Sequence, residues 1–190
     1  AAFAEAGIVL DRADYLSAAR KNAQFILSQL ATAEGRLYRT WKDGRPSLNG
    51  YLEDYSYLLE GLLGLYQATF EPEWFSAARS MADVMISRFT DAKGGFFDTS
   101  DDHERLIIRP KSIQDNAVPS GGSMAATGLL RLSSLTGEYS YARVAESGMQ
   151  YLFSMAGKHP TAFGQWLNAI DYHFGESFEV AIVGNLDDDD

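Results

Sequence analysis

Two short stretches hold the residues best suited to chemistry. "LNGYLEDY" (residues 48–55) sets Tyr51, Glu53, Asp54 and Tyr55 at the mouth of an apolar helix, and "DNAVPSGGSM" (115–124) sets Asp115, Asn116 and Ser120 at the mouth of another. Carboxylates are the only proton-transfer groups at either mouth. Glu53, Asp54 and Asp115 are therefore the candidates for a general acid or base, or for a hydroxyl ligand. Side chains one residue apart on a helix project about 100° apart, so Glu53 and Asp54 do not flank one scissile bond as a pair. Asp115, or a residue outside this chain, would have to complete such a pair. The helix dipole alone also favours acidic residues at a helix start.

Further candidates lie in the long connections. Trp41, Tyr51 and Tyr55 offer flat faces for stacking. Arg39, Arg109 and Lys111 could hold an anionic group at the entrance, or could pair with some of the 26 acidic residues. Asn116 and Ser120 add polar contacts, and Ser120 or Ser123 is placed to cap its helix. Pro119 fits the first helical turn, where its missing N–H costs nothing. The small residues 120–123 leave room for a ligand or for a neighbouring helix.

The elements that carry these residues form a repeat. "YLSAARKNAQFILSQL" from Tyr15, "WFSAARSMADVMISRF" from Trp74 and "YARVAESGMQYLFSM" from Tyr141 are spaced by 59 and 67 residues. The segments before them repeat at the same spacings. Each unit is a helix, a short turn, a second helix and a long connection. The second helix is amphipathic: Trp74, Ala78, Met81, Met85 and Phe89 share one stripe. In the first copy the stripe shifts to Leu16, Ala23, Leu27 and Leu30. The first helix, Tyr51 to Thr69, is apolar nearly all round and reads as buried between neighbours. Its glycines suggest close helix approach. Inner and outer helices in alternation describe an all-α toroid or solenoid. The connections carry short aromatic or β-branched runs. "GGFFDT" and "RLIIRP" around "SDDHE" read as a β-hairpin, with His103 in its turn. Such connections build one rim of a toroid.

The fold expected is thus all-α: a partial (α/α)6-type toroid of helical hairpins with small β-hairpins on one rim. Its units lie near 2–47, 51–115 and 118–158, followed by an inner-type helix near 161–174. A closed ring of six hairpins needs roughly twice this length at a period of about 60 residues. Residues 1–184 are therefore expected to be the C-terminal portion of a larger toroid, and residues 185–190 an acidic tail. Exposed flanks at the two end units are expected to drive dimerisation.

Composition excludes several classes. The net charge of −10 argues against nucleic acid and anionic membrane partners. With no cysteine and three scattered histidines, neither a metal centre nor another cofactor is expected. No apolar run reaches the ~20 residues that cross a bilayer, and the first residues lack a basic signal region. A soluble, cytoplasmic location follows as the expectation.

"NGYLEDYSYLLEGLLGLYQATF", "GGFFDTSDD", "LIIRPKSIQDNAVPSGGSMAATGLLRLSSLTGE" and "FEVAIVGN" together resemble the C-terminal half of a known family. These are the thioredoxin-domain proteins grouped with spermatogenesis-associated protein. The resemblance runs along essentially the whole chain. It implies an N-terminal thioredoxin-like domain, followed by an α/α toroid similar to N-acylglucosamine 2-epimerases and six-hairpin glycosidases. It brings no assigned reaction. Those epimerases use histidines as acid and base, and no histidine stands at an inner-helix mouth here. The resemblance points to a sugar or sugar phosphate as ligand. The function expected is a carbohydrate-binding or carbohydrate-processing toroid of a thioredoxin-fused protein. The rival is a non-catalytic scaffold presenting partners or clients to the thioredoxin-like domain.

Overall fold

The computed structural model of the chain describes residues 1–104, 107–176, 178 and 180. The expected acidic tail, 185–190, lies outside the described residues. The helices are α1 (Ala2–Val9), α2 (Ala13–Phe25), α3 (Leu52–Thr69), α4 (Pro72–Phe89), α5 (Gly121–Thr136), α6 (Tyr139–Lys158) and α7 (Gly164–Phe174). A π-turn, Ile26–Leu30, extends α2. One antiparallel hairpin, β1 (Tyr38–Lys42) and β2 (Arg45–Asn49), lies between α2 and α3.

The helices stand in two layers. In the inner row α3 touches α1 and α5, and α5 touches α7. In the outer layer α2, α4 and α6 back onto α1, α3 and α5 in turn. The periodicity explains this order. Trp74, Ala78, Met81, Met85 and Phe89 are all buried, and they meet Leu59, Leu62 and Leu63 of α3 in one core. Each large side chain so buried contributes about 1.5–3 kcal/mol. Burial of α3 is not complete: Tyr57 and Gln67 are exposed and Glu60 is half-buried along one side. That side also carries Gly61 and Gly64. The shifted stripe of α2 is weaker too; only Ala23 is buried, and Leu16, Leu27 and Leu30 are half-covered.

The 59-residue repeat extends into the turns. Backbone bridges Ala31–Leu37 and Thr90–Phe96 occupy equivalent places. Gly35 and Gly94 both take left-handed φ, at 75° and 101°, in the turn between bridge partners. Only glycine adopts these values without strain. At the 67-residue spacing, α3 and α5 end on equivalent left-handed residues, Phe70 and Gly137.

Three expectations need correction. The hairpin on the rim is "YRTWKDGRPSLN", closed by Asp43 and Gly44, both at positive φ as a tight hairpin turn requires. The connection 94–110 carries no strand pair among the described residues; there its two arms share one backbone bond, from Asp98 N to Pro110 O. Residues 105 and 106 of the expected second strand lie outside the described residues. Pro119 precedes the cap rather than filling the first turn. Ser120 is the N-cap, and its Oγ accepts from Ser123 N at 3.1 Å. As a result α5 starts two residues later in the repeat than α3.

Candidate functional site

The glycines at the start of α5 make room for helices. A Cβ on Gly121 would stand 2.9 Å from Glu53 N, one on Gly122 3.1 Å from the Trp166 ring, and one on Gly128 2.7 Å from Leu59. The mouths of α3 and α5 are thus pressed together, α5 leans on α7, and Glu53 comes beside the α5 start. Tyr57 Oη reinforces the junction by donating to Pro119 O at 2.9 Å. Burial, followed by the nearby Glu53 and Asp115 carboxylates, raises the pKa of this phenol, so it remains a neutral donor.

Arg39 organises the α3 mouth. The hairpin carries it over the first turn of the helix. There Nη2 donates to Glu53 Oε1 at 2.7 Å and Nη1 to Asp54 Oδ2 at 3.0 Å. Its guanidinium also lies 4.5 Å from the centre of the Tyr51 ring. Asp54 Oδ2 accepts from Tyr51 N as well, at 2.8 Å, which closes the helix start. The two carboxylates that helix geometry turns apart are joined through one cation.

Two cavities share Arg39 and Glu53 in their walls. The larger, about 920 Å³, lies between α1, α2 and α3; it is lined by Ala19, Ala23 and Ile26 on one wall and Leu58, Leu62 and Leu65 on the other. Its apolar walls follow helical stripes, as in a helix-packing groove. Its charged side chains among the described residues are Arg39, Glu53 and Asp54, and Asn22, Tyr38 and Tyr57 add polar groups. The smaller cavity, about 400 Å³, opens between the mouths of α3 and α5. Its lining includes Arg39, Tyr51, Glu53, Asn116 and Ser120, so five of the residues singled out from the sequence converge here. Asp98, Ser112 and Gln114 share the wall.

The other candidates are placed differently. Asp54 faces the larger cavity. Tyr55 is fully buried; its hydroxyl accepts from Leu37 N at 2.8 Å and its ring packs 5.1 Å from Phe89. Trp41 meets Phe25 edge to face at 5.6 Å and lines neither cavity. Arg109 covers Phe97 at 4.0 Å and donates to the carbonyls of Thr99 and Arg88. Lys111 pairs with Asp91 at 2.6 Å and donates to Gly94 O. Both cations hold the rim connection together. Asp115 fastens two helices: Oδ1 accepts from Ser120 N at 2.8 Å and Ser123 Oγ at 2.7 Å, and Oδ2 from Gln165 N at 2.8 Å.

Asp98 was not among the sequence candidates. Its carboxylate accepts from Ser112 N and Oγ, and its carbonyl from Leu52 N, so it ties the rim connection to the α3 mouth. The signal available for it was its place within "GGFFDTSDD". His103, read as a turn residue, stands with its ring 5.6 Å from Tyr51. Among the described residues, no three His, Asp or Glu side chains form a metal-binding group, and no helix is long and apolar enough to cross a membrane.

Relatives with curated names bear on this geometry. Spermatogenesis-associated protein 20 of Rattus norvegicus is 36% identical over 146 residues, covering 71% of this chain. The Homo sapiens protein of the same name is 35% identical over the same length. The chain belongs to the spermatogenesis-associated protein 20 family. It spans under a fifth of the rat and human proteins, 18% and 19% of their lengths. No protein-family profile matches it. Among solved structures, cellobiose 2-epimerase from Spirochaeta thermophila shares the fold with a TM-score of 0.64 at 19% identity, covering 79% of this chain and 40% of that one. The family member described here therefore has an α/α-toroid type of fold.

Proposed function

We propose that this part of the protein is the carbohydrate-binding portion of an α/α toroid, and that the 400 Å³ cavity at the mouths of α3 and α5 is its ligand site. The observation that carries the reading is the convergence of a carboxylate, a guanidinium and an exposed tyrosine ring at one cavity: Glu53, Arg39 and Tyr51. A sugar needs hydrogen-bond partners at its edge and a flat apolar surface at its face, and this set offers both. The volume falls within the ~300–1,000 Å³ usual for small-molecule sites. The fold shared with an enzyme named for a disaccharide adds support. Glu53 is the group best placed to accept a hydroxyl or act as acid or base, with Arg39 and Tyr51 orienting it. Asn116 and Ser120 complete the polar edge. Asp115 belongs to the helix framework rather than to the chemistry.

The test is titration of the chain with neutral mono- and disaccharides by calorimetry, for the parent and for Glu53→Gln. Saturable binding that weakens at least tenfold in E53Q is the expected result. No binding to the folded parent defeats the reading.

A scaffold role is the second reading. It draws on the internal commitments of Asp115, Arg109 and Lys111, together with exposed apolar side chains such as Phe153 and Phe174. In that reading the toroid presents clients to a thioredoxin-like domain in the longer protein. Analytical ultracentrifugation of the chain mixed with that domain tests it, and absence of any complex counts against it.

A further inference from the structure

Resting on the carbohydrate reading, we infer that the mouth cavity selects an uncharged sugar and turns away sugar phosphates. The charge inventory of its wall carries the inference. Among the described residues lining it, one cation, Arg39, stands against two carboxylates, Glu53 and Asp98. Arg39 is already spent on three partners: Glu53 through one Nη, Asp54 through the other, and the Tyr51 ring through its face. A phosphate could reach this guanidinium only by displacing a carboxylate, at a place where a second carboxylate remains unneutralised by any lysine or arginine on the described wall. Arg109 and Lys111, the other two of the three cations the sequence offered as entrance guards, are turned into the rim and bound to carbonyls and to Asp91. The rest of the lining is neutral. Tyr51, Ser112, Gln114, Asn116 and Ser120 supply donors and acceptors of the kind hydroxyl groups match. The described wall therefore has the polarity for a polyol, and among the described residues it offers no free positive charge of the kind phosphate recognition uses.

Glu53 also governs the discrimination, because it holds Arg39 and contributes half of the negative charge. Removing its charge by Glu53→Gln releases one guanidinium edge toward the cavity. Relative affinity for an anion then rises by about three- to fivefold, the scale of one exposed ion pair.

The experiment is a melting-temperature and calorimetric comparison of glucose, cellobiose, glucose 6-phosphate and glucosamine, at low and at 0.5 M salt, on the parent chain and on E53Q. Expected are binding of glucose or cellobiose, glucose 6-phosphate binding at least tenfold weaker than glucose at low salt, and a gain in the ratio of phosphate to neutral sugar in E53Q. Salt screens the repulsion, so the same ratio rises with salt in the parent; this arm needs no variant and stands even if E53Q misfolds. Glucose 6-phosphate binding as tight as glucose overturns the inference and leaves the carbohydrate reading intact. Tighter binding of glucosamine than glucose overturns it too, since the cavity would then be selecting positive charge. Failure of every sugar to bind a folded parent removes the carbohydrate reading itself, and the inference with it.

Discussion

Replacing Asp115 with alanine removes three hydrogen bonds from one carboxylate and leaves two backbone N–H groups, of Ser120 and Gln165, without their acceptor. Hydrogen bonds to a charged acceptor contribute about 1.5–3 kcal/mol each, and loss of a helix cap costs about 1 kcal/mol. The three bonds share one side chain and water reaches part of the site, so they do not add in full. The expected loss is about 3–4 kcal/mol. For a chain of 190 residues each kcal/mol lowers the melting temperature by about 2–4 °C, which gives a fall of roughly 6–16 °C. Asp115→Asn separates the two helix contacts. Its amide oxygen still serves Ser120 and Ser123, but its NH2 then faces the Gln165 N–H, donor against donor, and about 1–2 kcal/mol is lost. Urea unfolding of the three proteins measures both differences. A D115A variant within 1 kcal/mol of the parent refutes the account of Asp115 as the fastener of α5 and α7. Sugar binding retained in D115N and lost in E53Q separates framework from site.

Other perturbations test neighbouring steps. Gly121→Ala forces a Cβ within 3 Å of the α3 backbone, so it destabilises by about 1–3 kcal/mol, whereas Gly157→Ala in α6 meets open space and stabilises by about 0.5–1 kcal/mol; equal effects in urea melts contradict the close approach of the two mouths. Phe70→Gly relieves a left-handed residue at the α3 end, where the equivalent position is already Gly137, and raises stability by about 0.5–1 kcal/mol in the same assay. Asp102 is held well below the usual carboxylate range, first by hydrogen bonds from Arg36 and then by Ser100, so its folded pKa lies under the unfolded one. Its stabilisation is present above about pH 4 and fades as pH falls below that, so the melting-temperature gap between parent and Asp102→Asn narrows from pH 6 to pH 3; a gap that widens on acidification contradicts the pairing. The exposed Phe3, Ile8, Val9 and Leu10 of the first unit and Phe153 and Phe174 of the last predict self-association, seen as species heavier than monomer in sedimentation velocity; a monodisperse monomer at tens of micromolar removes that expectation.

The helical framework was legible because it rests on local periodicity. The stripe from Trp74 to Phe89 and the apolar run from Leu52 to Leu65 declare an outer and an inner helix whatever lies around them. Repetition at a 59-residue spacing then reaches bridges and glycine turns that no single unit would reveal. The candidate cavity was legible in outline, since Tyr51, Glu53, Asn116 and Ser120 stand out by type at two helix mouths and Arg39 in the connection before one of them.

The use to which each polar residue is put depended on distances across the fold. Arg39 and Glu53 are 14 residues apart, Asp115 and Gln165 are 50 apart, and nothing in the spacing tells a paired cation from a free one. Trp41, Arg109 and Lys111 have the composition of a binding rim, yet their nearest partners are Phe25, Phe97 and Asp91. The β-hairpin moved for a related reason: "YRTWKDGRPSLN" has an Asp-Gly turn that closes two strands locally, while among the described residues the arms of the later connection share one backbone bond, Asp98 to Pro110. The sequence by itself determined which stretches are helices and which face α4 buries, because both rest on local periodicity. Tertiary structure alone decided which charges are satisfied at the helix mouths, because an ion pair is a matter of a few ångströms between segments that the chain order leaves far apart.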